Sequence, residues 1–103
     1  TGTLNSLGND TNFQSISTAD GIGNDNDQCL DGFLRVFNPA DTTFVKHFMA
    51  NATHYTNDNA SMNTFVQGYI NTTSAVNGIQ FKMNNGSADQ DTDKGDICLY
   101  GIN

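Results

Sequence analysis

Short apolar runs alternate along the chain with stretches of Asn, Asp, Gly, Ser and Thr. From Cys29 onward the runs have the length and the alternation of apolar and polar positions that β-strands show, and none has the 3.6-residue period of an amphipathic helix. The predicted strands lie in Cys29–Phe37, Thr43–Ala50, Met62–Ile70, Ile79–Met83 and Gly95–Ile102. Parallel sheets need crossover helices, so the pattern predicts an all-β fold, a small antiparallel β-sandwich or jelly roll.

The first two runs predict a β-hairpin. Asn38-Pro39-Ala40-Asp41 between them has the composition of a β-turn, because Pro presets the first central position and Asn and Asp bond back to the backbone. A four-residue loop would form an aromatic ladder across the hairpin but would also set two cations face to face, so a two-residue loop stays open. The pairs of the four-residue register are Phe37 with Phe44, Phe33 with Phe48, and Arg35 with Lys46.

The chain divides into two parts by composition. Residues 1–28 predict a loop-rich N-terminal arm with one short strand around Phe13–Ser17, since Gly, Asn, Asp and Ser dominate it. Residues 29–103 predict the antiparallel β domain. A chain of 103 residues supports one small domain.

Composition removes several function classes. The net charge is −7, all 11 acidic residues are Asp, and only four residues are Lys or Arg, so a nucleic-acid partner is excluded. Glu, a good helix former, is absent, whereas Asn, Asp, Thr and Gly are frequent, which excludes helical bundles. No apolar run reaches the length of a membrane span. A surface of Asn, Asp, Thr and Ser is typical of extracellular or virion-exposed β proteins.

The two cysteines, Cys29 and Cys98, each lie at the edge of a predicted strand. They could form a disulfide between the first and last strands of the domain, or both could be small buried hydrophobic side chains. The sequence leaves both alternatives open.

An acidic segment near the C-terminus carries carboxylates at alternate positions, as a calcium-binding loop does. The candidate Ca²⁺ ligands are Asp89, Asp91, Asp93 and Asp96. The sixth position of such a loop would be Lys94 where Gly is expected, and no Glu closes it. The sequence therefore favours a solvated hairpin loop over a calcium site.

Five stretches of the chain resemble a β-domain of tailed-phage virion proteins of the marine and cyanophage type. They are Phe37-Asn-Pro39, Tyr69-Ile-Asn-Thr-Thr-Ser-Ala-Val76, Ile79-Gln-Phe-Lys-Met83, Asn85-Gly86 and Gly95-Asp-Ile-Cys-Leu-Tyr-Gly-Ile102. The likeness covers about residues 29–102 and is absent from 1–28. It implies a final hairpin closed by a G-x-I-x-LYGI strand, with the turn stretched here over residues 85–95. It also implies an oligomeric component of the virion surface, a tail fibre, a spike or a capsid decoration.

The sequence does not point to an enzyme, since it contains no Gly-x-Ser-x-Gly, His-Glu-x-x-His or phosphate-loop motif. Carbohydrate binding is the alternative, because sugars stack on exposed aromatic rings and bond to amides. The candidate sugar-binding residues are Tyr55, Tyr69, Asn57 and Asn71.

We therefore expect a non-enzymatic virion-surface protein that works by assembly and host attachment. Its expected partners are copies of itself, with a trimer favoured, other virion proteins and a host-surface glycan. No membrane or nucleic acid is expected, and Ca²⁺ is the one cofactor considered. The alternative is a secreted or cell-surface, lectin-like module that acts as a monomer.

Overall fold

A computed structural model describes residues 14–16, 22–23, 25–82 and 95–101. It contains three strands, Leu30–Val36 (β1), Lys46–Tyr55 (β2) and Ser61–Ile70 (β3). They form one antiparallel sheet in the order β1-β2-β3. The prediction of an all-β fold is confirmed for the described residues, which hold a single sheet and no helix.

The register divides the sheet into two faces of different character. Each pair joins residues of the same parity, for example Leu34 with Ala50 and Ala50 with Val66. Because side chains alternate between faces along a strand, the even-numbered residues of all three strands share one face and the odd-numbered residues share the other. The even-numbered residues of β2 are buried or half-buried, so we call theirs the covered face and the other the open face.

Small side chains occupy the centre of the covered face. Ala50 and Ala52 are buried there, with Lys46 and His54 buried at the two ends of β2. Gly68 lies opposite Phe48, whose ring packs over the glycine. β2 extends five residues beyond the end of the predicted strand Thr43–Ala50, because residues 51–55 also belong to it.

The first hairpin exists as predicted, but its register differs from the aromatic ladder. Phe33 lies opposite Asn51, and Phe48 lies opposite Val36. The register contains neither the predicted aromatic pairs nor the opposed cations. Both predicted loop lengths were wrong, because residues 37–45 connect the strands.

The side chain of Asp41 explains the length of this connection. The turn at 38–41 is confirmed, since the Asp41 amide donates to the Asn38 carbonyl (3.1 Å). One carboxylate oxygen of Asp41 then accepts from the amides of Thr43 (2.5 Å) and Phe44 (2.9 Å). These bonds extend the turned backbone beyond Asp41, so β2 begins only at Lys46.

A tighter loop joins β2 to β3. The Thr56 amide donates to the Ala60 carbonyl (2.8 Å), and the Asn59 amide donates to the Thr56 carbonyl (3.1 Å). Asn59 takes a positive φ of 61°, a conformation that Asn tolerates better than most residues. The Thr56 hydroxyl accepts from the Ala60 amide (3.1 Å), which fixes the register of β3 on β2.

Buried Lys46 attaches the segment after β3 to the start of β2. Its ammonium group donates to the carbonyls of Thr72 (3.3 Å) and Ser74 (2.6 Å). The Val76 amide donates to the Pro39 carbonyl (2.8 Å), so the chain crosses to the connection between β1 and β2. Hydrogen bonds to peptide carbonyls thus compensate for burying this charge.

Three predicted strands are not formed in the part of the chain that the structure describes. Residues 79–82 and 95–101 have no strand, and neither do residues 14–16. The ends of these predicted strands, at Phe13, Ser17, Met83 and Ile102, lie outside the described residues. Of the predicted N-terminal arm, Ile22 makes one isolated antiparallel bridge, with Thr56.

Residue 32 must be glycine, because the backbone of the neighbouring strand β2 leaves no room for a side chain there. A Cβ atom at this position would collide with the Asn51 carbonyl oxygen and lie 2.8 Å from the Ala52 Cα. Gly32→Ala is therefore expected to lower the free energy of unfolding by about 1–3 kcal/mol, measured by urea denaturation.

The matched control is Gly68→Ala in β3. Its new Cβ would lie 3.0 Å from two ring atoms of Phe48, and a side chain can shift where a backbone cannot. The loss should be under about 1 kcal/mol. Equal losses in the two variants would contradict the role assigned to the β2 backbone.

Asp41 should make the stability depend on acidity. The hydrogen bond from the Phe44 amide, with that from Thr43 and the charge of Lys46, lowers the Asp41 pKa below 3.8. The stabilisation is therefore complete above pH 3.8 and is lost as the pH falls through the lower, folded-state value. Asp41→Asn should lower stability at neutral pH, and its deficit should shrink in acid.

Urea midpoints measured from neutral pH down to the acid range check this expectation. Asp58→Asn, an exposed change in the loop between β2 and β3, is the control. A deficit of Asp41→Asn that stays constant across this pH range would refute the assignment.

Candidate functional site

The open face presents large side chains that the described residues leave exposed. Phe33, Phe65 and Tyr69 are 56%, 77% and 56% exposed. Phe33 and Phe65 flank Asn51 in one row across the three strands. Neighbouring strands are about 5 Å apart, so the two rings lie within about 10 Å across the sheet. The odd-numbered positions thus form an aromatic surface.

Amide and hydroxyl groups hold the centre of the open face in place. The Asn51 side-chain amide donates to the Asn63 side-chain oxygen (2.8 Å), and the Asn63 amide donates to the Thr53 hydroxyl (2.8 Å). These bonds join β2 to β3 through side chains as well as backbone. They also fix donors and acceptors beside the aromatic rings.

Tyr69 and His47 pair at one end of the open face. They are register partners, and their ring centroids are 6.1 Å apart at an angle of 47°. His47 is exposed. The contact holds Tyr69 in a fixed orientation.

A shallow depression of about 270 Å³ lies on the open face between β1 and β2. Its walls combine a carboxylate, an aromatic ring, an amide and a hydroxyl around a residue without a side chain. The lining residues are Asp31, Gly32, Phe33, Asn51 and Thr53. This mixture of groups can stack on a small polar ring and bond to its substituents.

The structure separates the four predicted sugar-binding residues into two pairs. Tyr55 lies opposite Ser61 at one end of the sheet, and Tyr69 lies opposite His47 at the other. Both tyrosines are on the open face, but eight positions of β2 separate their rows, or about 26 Å. Asn57 follows Tyr55, and Asn71 follows Tyr69, so the four do not form one cluster.

Most of the predicted calcium loop lies outside the described residues. Asp89, Asp91 and Asp93 belong to that part, and Asp96 is exposed. Among the described side chains there is no group of three His, Cys, Asp or Glu that could hold a metal ion.

Cys29 and Cys98 are both exposed free thiols in the structure. They form no bridge with each other, and neither is buried. The Cys29 carbonyl accepts from the Tyr55 amide (3.1 Å), so Cys29 lies next to the sheet directly before β1.

The covered face contains polar atoms without partners. His54 is 1% exposed, and neither of its ring nitrogens has a hydrogen-bond partner among the described residues. The hydroxyl of Thr64, on the same face, is also buried without one. An unsatisfied buried polar group lowers stability. The polar side chains of the covered face are therefore less completely hydrogen-bonded than those at the centre of the open face.

Comparisons with protein-family models, curated proteins and solved structures found no match. Within the described residues, no helix is long and apolar enough to cross a membrane.

Sequence reasoning missed the central part of the open face. Phe33, Asn51, Asn63 and Phe65 were not among the candidates because their proximity depends on the register of β1 and β3 on β2. The available signal was the alternation within each run, which places Phe33 and Phe65 at odd positions. Their shared parity becomes informative only once the pairing is known.

His54 provides a test of the covered face. His54→Leu removes two buried nitrogens without partners and is expected to raise the free energy of unfolding by about 1–3 kcal/mol. His47→Leu, on the exposed side of the same strand, should change it by less than about 0.5 kcal/mol. Thermal and urea unfolding measure both. Destabilisation by His54→Leu would contradict the assignment of both ring nitrogens as unsatisfied.

Proposed function

We propose that the protein is a non-enzymatic structural component of a phage virion surface, in a tail fibre, a spike or a capsid decoration, and that it works by oligomeric assembly. The observation that carries the proposal is the exposure of Phe33, Phe65 and Tyr69 on one face of a small sheet. Contiguous exposed aromatic surface is typical of protein–protein contacts.

The small size of the sheet supports assembly. Three strands with one covered face are close to the minimum for independent stability in water. Association of copies through the open face would bury the rings and add apolar contacts that a single copy lacks. In this proposal the second layer of a sandwich or jelly roll comes from neighbouring copies, with a trimer as the favoured assembly.

The virion setting rests on the sequence motifs. Phe37-Asn-Pro39 and the closing run from Gly95 to Ile102 are two of the five stretches that resemble phage surface domains. The gene's surroundings check this setting. Neighbouring capsid, portal and tail genes would support a virion protein, and a metabolic gene cluster would contradict it.

Assembly is tested by sedimentation over a range of chain concentrations. The native chain should form a defined oligomer, and Phe65→Ser should raise its dissociation constant, because the variant removes a ring that the interface buries. Burial of one such side chain corresponds to about a ten- to hundredfold change in the constant.

Phe44→Ser is the matched control. Phe44 is 70% exposed, close to the value for Phe65, but lies in the connection between β1 and β2. It should leave the dissociation constant unchanged. A native chain that stays monomeric throughout, or equal effects of the two variants, would contradict assembly through the open face.

The depression beside Phe33 favours carbohydrate binding as a second candidate function. Its carboxylate, amide and hydroxyl could bond to sugar hydroxyls while the ring stacks on the sugar, as in host attachment or in a secreted lectin-like module. Screening the native chain and Phe33→Ala on a glycan array tests this function. Binding that Phe33→Ala abolishes supports it, and no binding by the native chain removes it.

A further inference from the structure

The pair Asn77-Gly78 lies in the segment that follows β3, and both of its residues are exposed and outside any strand. An asparagine side chain can cyclise onto the backbone nitrogen of the next residue, and glycine favours this reaction because it has no Cβ to shield the nitrogen. Every other described asparagine precedes a residue larger than glycine. A Cβ built on Gly78 would have no neighbour within 4 Å, so the space around the pair is open.

The backbone prevents cyclisation at three of the other asparagines. Asn51 and Asn63 lie in β2 and β3, where an extended backbone with a ψ of about +135° holds the side chain away from the next nitrogen. Their side chains also bond to each other, since the Asn51 amide donates to the Asn63 oxygen (2.8 Å). Asn38 precedes Pro39, whose nitrogen has no hydrogen to lose.

Hydrogen bonds occupy the attacking nitrogen at two further asparagines, which lie in loops. The amide of Ala60, which follows Asn59, donates to the Thr56 hydroxyl (3.1 Å). The amide of Thr72, which follows Asn71, donates to the carbonyl two residues before it (2.8 Å). The structure thus distinguishes Asn77 from these asparagines by its backbone as well as by the glycine beside it.

We propose that Asn77-Gly78 is a site of spontaneous deamidation, which converts Asn77 to a mixture of aspartate and isoaspartate. The Gly78 nitrogen bonds to the Asn77 Cγ, the Cγ–Nδ2 bond breaks, and ammonia leaves with the proton of the Gly78 amide. Water then opens the cyclic imide, at Cγ to give aspartate or at the backbone carbonyl to give isoaspartate. The inference goes beyond the proposed function and does not rest on assembly, because the reaction takes place within one chain and needs only water.

The products would change the segment that crosses to the connection between β1 and β2. Val76 directly precedes the pair, and its amide donates to the Pro39 carbonyl (2.8 Å). Either product adds a negative charge to a chain that already carries −7. Isoaspartate also lengthens the backbone by a carbon atom next to Val76, so this form should lose much of the hydrogen bond to Pro39.

Mass spectrometry of the full chain, incubated folded at neutral and mildly alkaline pH, tests the proposal. Asn77 should convert with first-order kinetics, and faster at the higher pH, because the Gly78 amide must lose its proton. Fragmentation identifies the converted residue, and an isoaspartyl methyltransferase labels isoaspartate. Asn59 and Asn71 should convert at least about tenfold more slowly. Cleavage after Lys82 places the pair at 85–86, outside the described residues, in a separate peptide.

Gly78→Ala is the matched variant. Its Cβ fits the open space at residue 78, so the urea midpoint should not change. The same Cβ hinders the attack of the nitrogen and should slow the conversion of Asn77 by about tenfold or more. Gly101→Ala, at another glycine whose Cβ would have no neighbour within 4 Å, is the control and should leave the rate at Asn77 unchanged.

Three results would overturn the inference. They are an Asn77 that stays intact in the folded chain, conversion of Asn59 or Asn71 as fast as that of Asn77, and equal rates in the native chain and Gly78→Ala. Hydrogen exchange tests the effect on the crossing segment. The Val76 amide should exchange faster in the isoaspartate form, and an unchanged rate would contradict the loss of its bond to Pro39.

Discussion

The pairing of β2 with a neighbour on each side is the interaction on which the rest of the structure depends. Within the described part of the chain β2 lies between β1 and β3 and pairs with both, and its register assigns every side chain of β1 and β3 to a face. A shift of one residue would move Phe33 and Phe65 to the covered face and Leu34 and Val66 to the open one. Gly32 enforces this register sterically, because its neighbour is the backbone of β2 itself.

The sheet buries little apolar surface around its central strand. Its most deeply buried apolar residues are Ala50 and Ala52, which contribute little apolar area, while Lys46 and His54 bury polar groups at the same face. Hydrogen bonds to the Thr72 and Ser74 carbonyls offset the cost of burying the Lys46 charge. The ring nitrogens of His54 have no hydrogen-bond partner among the described residues, so their burial is not offset. The aromatic side chains of Phe33, Phe65 and Tyr69 lie instead on the open face, where more than half of each is exposed. Much of the apolar surface of the sheet is thus outside its buried centre.

The sequence was sufficient to locate the three strands but not their register. Alternation in the runs around Phe33, Phe48 and Phe65 correctly predicted β1, β2 and β3, and Asn38-Pro39-Ala40-Asp41 correctly predicted a turn. The predicted aromatic ladder was wrong because loop length depends on the bonds that the Asp41 carboxylate makes to Thr43 and Phe44. The separation of Tyr55 from Tyr69 likewise depends on pairing along the whole of β2. The run at 95–101 shows a further limit, since β-propensity predicts a strand there and the described residues 95–101 form none.

The distribution of charge connects these observations. The three strands contain one aspartate against one arginine and one lysine, although the chain as a whole carries −7. Eight of the 11 aspartates lie between residues 20 and 31 or between residues 89 and 96. A strongly acidic chain with an almost neutral sheet can remain soluble and still bring its strands close to those of another copy. In the proposed assembly the repulsion between copies comes from charges outside the open face, so added salt should screen it and strengthen association, whereas a contact held by ion pairs would weaken.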